Sequence, residues 1–309
     1  MSRKNNQIEV IVVGAAAMDM LAFVDRLPGK DGIEMAREVK MMPGGTGANV
    51  AVALARLGRK VGFIARISDD ANGKVLLKEF ESENVDTSLC IITNDQPSAL
   101  CFIAIDADGN RSMVALGGAG PVEDRTEIDP ACIAKARLVY LTDVNTEIIE
   151  YVSAIVHANQ NTLVLSPGGI MASRGLQGIR NTLPLTDMVL LSQNESSLLF
   201  PNLPPLEAAK ELTRFGAPIV VITLGSDGAL VCTESVQTVI PAFAVSDIVD
   251  TTGAGDALAG GLISGLMNGN SLESSVRIGC AAAAIKITKP GARLGLPTGN
   301  QLQQYLDTK

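Results

Sequence analysis

Short apolar runs alternate with amphipathic stretches along most of the chain, and this alternation constrains the fold more than any other feature. The pattern is most regular after residue 136, where the order is "ARLVYLTD", "TEIIEYVSAIVHAN", "TLVLSPGG", "GLQGIRNTLP" and "DMVLLSQN". Strand-like runs that alternate with helix-like stretches of about ten to fifteen residues indicate βαβ units and a mainly parallel sheet. Because the strand-like runs are almost continuously apolar, we expect helices on both faces of the sheet. The sequence therefore predicts a doubly wound α/β fold.

The whole chain, residues 1–309, is predicted to form a single domain. Its length suits one large α/β domain with a small appendage, and it shows no internal repeat or interdomain linker. Within the body, "GLQGIRNTLP" and "PLEAAKELTRFG" are predicted to be helices, and two further helices are expected to close the chain.

Two segments, about residues 21–43 and 97–118, interrupt this rhythm because they have no helical period. They contain the turn-like sequences "PGKDG" and "DADGN", which predict two hairpins. Two β excursions from one α/β body are expected to form a small sheet that covers a cleft as a lid. Decorative edge strands remain an alternative explanation.

The charge balance and the rare residue types exclude several classes of function. The net charge is −8 with no run of Lys or Arg, so a nucleic-acid partner is not expected. No stretch is long and apolar enough to cross a membrane, and the N-terminal "IEVIVVG" is predicted to be a first strand and not a signal peptide. Five dispersed cysteines suit a reducing compartment, so we expect a cytoplasmic protein. A single histidine, His157, excludes a histidine-based metal cluster.

The segment "DTTGAGDAL", from Asp250 to Leu258, leads directly into an apolar helix-like run. Backbone N–H groups at a helix N-terminus lack intrahelical partners and lie at the positive end of the helix dipole. Small residues there allow a phosphoryl group to approach these amides. Asp256 would accept a proton from an attacking hydroxyl, so the segment predicts phosphoryl transfer. A purely capping role for Asp256 is the simpler alternative.

The same segment resembles the C-terminal signature of the ribokinase-like carbohydrate kinases, the PfkB family. "PGGTGANVAVALARLG" resembles the N-terminal signature of that family, and "TLGSDGAL" and "AAAAIKITKPGARLGLP" resemble its nucleotide-loop and closing segments. With the Met-Asp pair at positions 18 and 19, the matching motifs lie in family order between residues 10 and 297. The resemblance implies a ribokinase-like fold with a small β-sheet lid. It also implies a kinase that phosphorylates a hydroxyl, in particular a primary CH2OH group, of a sugar or nucleoside.

The resemblance implies roles for individual residues. Asp256 is the expected catalytic base, and the expected anion hole for the γ-phosphate consists of the amides of Gly253, Ala254 and Gly255. Sugar hydroxyls are expected to bind Asp19, Gly44, Gly45, Asn49 and Asp143. The path of ATP is expected to be lined by Asn194, Thr223, Gly225 and Gly228. A monovalent cation is expected to bind Asp250 and Thr252, with backbone carbonyls of residues 288–295.

The resemblance also implies cofactors and an assembly. ATP and Mg²⁺ are expected, and K⁺ is the expected monovalent cation, so replacing K⁺ by a larger organic cation should lower activity. A homodimer through the β lid is expected. Ser197 stands where many relatives have a Glu that organises Mg²⁺. Ala17 and Thr46 stand where ribokinases usually have Asn and Lys, and Asp143 stands where they usually have Glu. These departures leave the acceptor and the Mg²⁺ arrangement open.

Two other functions remain open: a catalytically inactive sugar- or nucleoside-binding relative, and a dinucleotide-dependent oxidoreductase. The first strand ends in "GAAAMDM", which lacks the G-x-G-x-x-G of a dinucleotide site. A P-loop is excluded because neither "GK" pair, at 29–30 or 73–74, is followed by Ser or Thr. The acceptor itself stays open among pentoses, ketohexoses, sulfonated or aminated sugars, and nucleosides. Phe23 and Phe102 are the candidates for stacking on a nucleoside base.

Overall fold

The computed structural model describes residues 8–309, so the first seven residues of the predicted domain lie outside the described residues. The strands are β1 Val10–Val13, β2 Ala17–Phe23, β3 Glu38–Gly44, β4 Val61–Ile64, β5 Arg66–Ser68, β6 Ile91–Thr93, β7 Leu100–Ile105, β8 Arg111–Gly117, β9 Leu138–Thr142, β10 Thr162–Ser166, β11 Met188–Ser192, β12 Val220–Thr223, β13 Ala229–Cys232 and β14 Gln237–Ile240. The α-helices are α1 Thr46–Arg56, α2 Ala71–Ser82, α3 Pro130–Lys135, α4 Thr146–Ala158, α5 Gly168–Ala172, α6 Gln193–Leu199, α7 Pro205–Arg214, α8 Ala254–Met267, α9 Leu272–Lys286 and α10 Gly299–Asp307.

The main sheet has eight strands in the order β14-β13-β12-β11-β10-β9-β1-β4. The strands from β12 to β4 in this order run parallel, and β13 and β14 add an antiparallel hairpin at one edge. In β1, Val10 and Val12 belong to one hydrophobic core, with α1, α8 and α9, whereas Ile11 and Val13 belong to a second core with α4 and α7. Alternate side chains of a strand point to opposite faces, so a sheet with helices on both faces needs apolar residues at every position. The predicted doubly wound fold is confirmed.

A second, four-stranded sheet has the order β3-β2-β7-β8. β2 and β3 form one antiparallel pair, β7 and β8 form another, and β2 pairs with β7 in parallel. Both β excursions of the sequence therefore contribute to one small sheet, as predicted, and β5 and β6 form a separate two-stranded sheet. Every residue of β8 is exposed.

The helix predicted at "GLQGIRNTLP" is wrong, because the segment contains only two short 3-10 turns, Leu176–Gly178 and Leu183–Leu185. Gly175 begins the segment at φ 69°, and Pro184 has no N–H for a helical ladder. Its apolar residues Ile179 and Leu183 are nevertheless fully buried, so they serve the core without a helix. The last three elements of the chain are the helices α8, α9 and α10, whereas the sequence predicted two helices there.

The topology brings several polar residues to one edge of the main sheet. Because β9, β11 and β12 are parallel, their carboxyl ends meet at the same edge, which is where ligands bind in open α/β sheets. The N-terminus of α8 lies at this edge, since Ala254 and Gly255 line the same cavity as Thr223 at the end of β12. Within residues 8–309, we find no helix whose length and apolar character would let it cross a bilayer.

Candidate active site

The N-terminus of α8 lies where the sequence predicts it, and steric contacts explain why position 253 is a glycine. Gly253 adopts φ 79°, a left-handed conformation, and a Cβ atom there would lie 2.6 Å from the carbonyl oxygen of Ala292. The helical ladder begins where the Ala257 amide donates to the Gly253 carbonyl, and the Ala254 amide donates to Thr251 at 3.1 Å. The amides of Gly255 and Asp256, in the first turn, therefore precede the first bond of the helical ladder and have no carbonyl partner in it.

Asp256 is the last member of a chain of hydrogen bonds that begins at a buried arginine. Arg293 Nε donates to Asn49 Oδ1 at 2.8 Å, and Asn49 Nδ2 donates to Asp256 Oδ2 at 2.8 Å. Burial raises the pKa of Asp256 to about 7, and the Asn49 hydrogen bond opposes this increase. The neighbouring Asp143 carboxyl raises the pKa further. A carboxyl group with a pKa near neutrality is suited to general acid or base chemistry.

Arg293 connects three parts of the site, and sequence reasoning missed it. Its side chain is only 3% exposed, and Nη2 donates to the Gly44 carbonyl at 2.8 Å. Nη1 forms an ion pair with Glu79, and the guanidinium lies 5.5 Å from the centroid of the Phe80 ring. The available signal was a single arginine in the otherwise uncharged segment "PGARLGLP". Such a cation is buried only if charged and hydrogen-bonding partners surround it.

Asp19 and Gly44 lie against each other where the small sheet meets the main body. Asp19 pairs across β2 and β3 with Met42, and a Cβ atom on Gly44 would lie 2.1 Å from Asp19 Oδ2. Only glycine therefore fits at position 44 while Asp19 keeps this conformation. Burial raises the pKa of Asp19 to about 6, although the positive charge of Arg293 opposes the increase. Gly45 follows at φ 92°, where its own Cβ would lie 2.7 Å from the Ala15 carbonyl oxygen.

Asp143 follows β9 in a backbone conformation that is uncommon for a residue other than glycine. Its φ is 57°, and a Cβ atom on Gly168 would lie 2.4 Å from Asp143 Oδ1. Burial raises the pKa of Asp143 to about 6, and the negative charge of Glu195 adds to the increase. Hydrogen bonds join Asn49 to Asp256 and to Arg293, and the charges of Arg293 and Asp143 act on Asp19 and Asp256, so these five residues belong to one polar site.

A cavity of about 520 Å³ runs from the end of β12 to the N-terminus of α8. Thr223, Gly225 and Gly228 of the predicted nucleotide path line it, together with Ala254 and Gly255. Its other walls are mostly apolar, as expected for a pocket that encloses a flat ring, and include Phe243, Val245, Ile248, Leu258, Cys280 and Ile287.

Asn194 is the one predicted nucleotide-binding residue that does not line this cavity. It is exposed in the first turn of α6. Gly228 requires glycine, since its φ is 100° and a Cβ atom would lie 2.0 Å from the Ile240 carbonyl oxygen.

The residues predicted to bind a monovalent cation lie beside the start of α8. Asp250 Oδ1 accepts from the Thr252 amide at 2.8 Å, and Asp250 Oδ2 accepts from the Gly291 amide at 2.7 Å. Burial opposes ionisation of Asp250, but these hydrogen bonds and the charge of Lys286 together lower its pKa. Lys286, which sequence reasoning did not single out, donates from Nζ to the Asp250 carbonyl at 2.7 Å.

An arginine of the small sheet reaches the same segment. Arg111, at the start of β8, donates to the hydroxyl of Thr252 and to that of Thr251, the latter at 3.2 Å. The small sheet therefore contacts the turn that precedes the α8 N-terminus. No sequence motif indicated this contact. Arg111 directly follows the predicted turn "DADGN" and belongs to none of the family motifs.

Residues 8–309 contain no cluster of three or more His, Cys, Asp or Glu side chains that could hold a metal ion alone. Ser197, at the position where a Glu was expected, is exposed and donates its hydroxyl back to the Gln193 carbonyl at 2.9 Å. The negative charge of Glu195, in α6, raises the pKa of Asp143 and that of Asp256. Glu195 Oε2 also accepts from the Ser192 amide, in a capping box that fixes the helix start.

The comparison with protein families matches residues 7–299 to the pfkB family carbohydrate kinases. The chain belongs to this family. It is 29% identical over 305 residues to the ribokinase of Bacillus subtilis, with 96% of this chain and 99% of the relative covered. It is 30% identical over 304 residues to an ATP-dependent ribose-1-phosphate kinase of Halopiger xanaduensis, covering 98% of this chain and 99% of the relative.

The fold comparison agrees with this assignment. The crystal structure of a ribokinase from Thermotoga maritima matches this pfkB kinase with a TM-score of 0.84 and 26% identity, covering 97% of this chain and 99% of the other. The predicted family, the ribokinase-like fold and the kinase class are therefore confirmed. The chain is a phosphotransferase of the carbohydrate or nucleoside kinase type.

Proposed function

We propose that the protein transfers the γ-phosphoryl group of ATP to a hydroxyl, in particular a CH2OH group, of a free or substituted sugar. One observation carries the proposal. The cavity that leads from Thr223 ends at the N-terminus of α8, where the half-buried Asp256 accepts a hydrogen bond from Asn49. A nucleotide in the cavity and a sugar beside Asn49 would meet at that carboxyl. The two relatives with kinase names agree with this reaction.

Asp256 is the proposed general base. The acceptor hydroxyl gives its proton to this carboxylate while its oxygen forms a bond to the γ-phosphorus, and the bond from that phosphorus to the β,γ-bridging oxygen breaks. Asn49 holds Oδ2, so Oδ1 is the oxygen left to receive the proton. With a pKa of about 7, a large fraction of Asp256 is ionised near neutral pH while still being basic enough to accept a proton.

The start of α8 is the proposed anion hole. The amides of Gly255 and Asp256 lie at the positive end of the helix dipole and are left over by the helical ladder, so they suit the developing negative charge. Of the three amides that the sequence indicated, that of Ala254 already donates to Thr251, whereas Gly253 contributes the left-handed turn. Gly255 keeps the approach open, since nothing lies within 4 Å of the position of its missing Cβ.

Asp19, Asn49 and Asp143 are the proposed hydroxyl-binding side chains, with Gly44 and Gly45 giving the sugar access to the backbone. Carboxylate and amide groups pair well with sugar hydroxyls. We favour a sugar over a nucleoside, because Phe102 lies on the opposite face of the small sheet from Asp19 and Phe23 lies four residues farther along β2.

The two aromatic candidates lie elsewhere on the small sheet. Phe102 pairs with Met20, one position beyond the pair of Asp19 with Cys101, and successive side chains point to opposite faces. Burial is the main cause of the raised pKa of Cys101, and the negative charge of Asp19 raises it further. This agrees with the two side chains lying on the same face of the sheet. Phe23 lies at the far end of β2, where its ring contacts the ammonium of Lys40 at 5.2 Å.

Mg²⁺ is proposed to enter with the phosphates of ATP, because no protein cluster among the described residues could hold it alone. Mg²⁺ commonly keeps several waters and uses one or two carboxylates together with substrate phosphates. Glu195 fits that role, since its negative charge raises the pKa of Asp143 and a cation beside it would relieve the repulsion. The bound ion would neutralise phosphate charge.

We further propose that the chain acts as one kinase domain whose small sheet is a lid and a dimer surface. β3 and β8 expose a group of large apolar side chains, namely Val39, Met41, Met113, Val114 and Leu116. Large exposed apolar side chains on both edge strands of this sheet fit a protein–protein contact. Arg111 ties the same sheet to the start of α8. Neither an inactive binding protein nor an oxidoreductase gains support from any feature of the site.

The test is a kinase screen with ATP and a panel of pentoses, ketohexoses and nucleosides, with the product identified by mass. Asp256→Asn should lower kcat by at least about 10²-fold, because a positioned base typically contributes that much, and should leave ATP binding unchanged. Asp247→Asn is the matched control, since Asp247 is exposed and bonds only Ser246 among the described contacts. Full activity of Asp256→Asn would refute the proposed base.

A further inference from the structure

A buried ammonium group lies where the sequence suggested a potassium site. We use the term cation pocket for Asp250, Thr252 and residues 288–295. Lys286, in the last turn of α9, is 0% exposed, and its Nζ enters this pocket. Nζ donates to the Asp250 carbonyl at 2.7 Å and to the Lys289 carbonyl at 3.4 Å. Backbone carbonyl oxygens that converge on one positive charge are also the ligands that K⁺ uses in proteins.

Three side-chain oxygens of the cation pocket also accept hydrogen bonds. Both side-chain oxygens of Asp250 accept backbone amides, one from Thr252 and one from Gly291. The hydroxyl of Thr252 accepts from Arg111. A potassium ion would have to share these oxygens with their donors and would also stand beside the like charge of the ammonium, which is unfavourable in a buried site. The residues present therefore do not fit a bound K⁺.

We propose that the ammonium of Lys286 supplies the positive charge of the cation pocket, so that this kinase does not depend on K⁺. The inference rests on the proposed function and concerns the regulation of the same site. Lys is a compact point charge with three donors, which suits it to replace a monovalent cation among carbonyl oxygens.

The position of the ammonium explains how it would act on catalysis. It joins the segment before α8 to the loop after α9, since Asp250 and Lys289 are both its acceptors. The same two segments touch at Gly253, which packs against Ala292. The ammonium therefore holds the turn from which the amides of the anion hole emerge.

The first experiment compares the wild-type enzyme in KCl with the enzyme in tetramethylammonium chloride at equal ionic strength. We expect kcat to agree within about twofold, because a lysine ammonium needs no added ion to supply its charge. A larger increase in KCl would overturn the proposal.

Two substitutions at one position separate charge from packing. Lys286→Ala opens space for an ion, and we expect kcat to fall at least about tenfold in tetramethylammonium and to recover in KCl. Lys286→Met removes the charge but fills the space, so its kcat should be low in both salts. Lys74→Ala is the matched control and should behave as wild type, because Lys74 is an exposed lysine of α2 that pairs with Asp69 on the surface, outside the cation pocket. A Lys286→Ala variant that keeps wild-type activity in tetramethylammonium, or that gains nothing from KCl, would overturn the proposal.

Thermal unfolding gives a readout that does not need turnover. A ligand that binds only the native state raises Tm, so KCl should raise the Tm of Lys286→Ala relative to tetramethylammonium chloride. Wild type and Lys74→Ala should have the same Tm in both salts. If no acceptor is phosphorylated in either salt, the proposed function fails while this comparison still decides the inference. If Lys286→Ala does not fold, a wild-type Tm that depends on K⁺ would overturn the inference, and one that does not would support it.

Discussion

Asn49 should set the pH at which this kinase becomes active, because its amide holds the proposed base in the ionised form. Asp256 has a pKa of about 7 although it accepts the Asn49 hydrogen bond, which lowers that value. The substitution Asn49→Ala removes this bond. Arg293 keeps its contacts to the Gly44 carbonyl and to Glu79, so its charge should stay in place.

The size of the effect follows from the energy of one charge-assisted hydrogen bond. Such a bond contributes about 1.5–3 kcal/mol, and one pKa unit corresponds to about 1.36 kcal/mol, so the pKa of Asp256 should rise by about one to two units. The base must be ionised, so activity falls as pH decreases through this pKa. Between pH 9.5 and pH 6.5, Asn49→Ala should therefore lose roughly eight- to sixtyfold more activity than wild type.

The assay is the pH profile of kcat/KM, which reports the pKa of the free enzyme. Asp19→Asn is the control, because it changes a sugar contact without touching the Asn49–Asp256 hydrogen bond and should leave the midpoint near that of wild type. The reasoning is refuted if the Asn49→Ala profile has the same midpoint as wild type after scaling. In that case Asn49 would not control the protonation of the base.

Two further predictions concern stability and sugar binding. Folding raises the pKa of Asp256 from 3.8 to about 7, so ionisation costs stability as pH increases between these values, and Asp256→Asn should raise the free energy of unfolding above pH 7 by at most about 4 kcal/mol. Urea unfolding should show almost no gain at pH 4, and an equal gain at both pH values would contradict this linkage. Gly44→Ala would place a methyl group 2.1 Å from Asp19 Oδ2 and displace that carboxylate. The KM for the sugar should rise about ten- to hundredfold, with the KM for ATP unchanged, whereas Gly29→Ala, which meets nothing within 4 Å, should have no effect. An unchanged KM for the sugar in Gly44→Ala would exclude Asp19 from the sugar site.

The sequence predicted the features that depend on local patterns. Continuous apolar runs such as β1 identify strands covered on both faces, because the two alternating sets of side chains enter different cores. The glycine-rich start of α8 was equally predictable from the sequence, since Gly253 must adopt a left-handed conformation and pack against a carbonyl. Local patterns misled at "GLQGIRNTLP", where apolar spacing suggested a helix but Gly175 and Pro184 prevent one.

Only the tertiary structure decided which charges surround the proposed base. Arg293 and Asn49 lie 244 residues apart in sequence but are joined by a hydrogen bond, and no local pattern encodes such a contact. Lys286 illustrates the same limit, because a lysine in the last turn of a helix usually lies in water and stabilises the helix dipole. Here the loop after α9 encloses its ammonium among carbonyl oxygens. The sequence by itself determined the sheet, the helix start and the carboxylate, since these follow from short-range periodicity and backbone sterics. The structure decided the protonation of that carboxylate and the content of the cation pocket, since both depend on burial and on charges that come from distant parts of the chain.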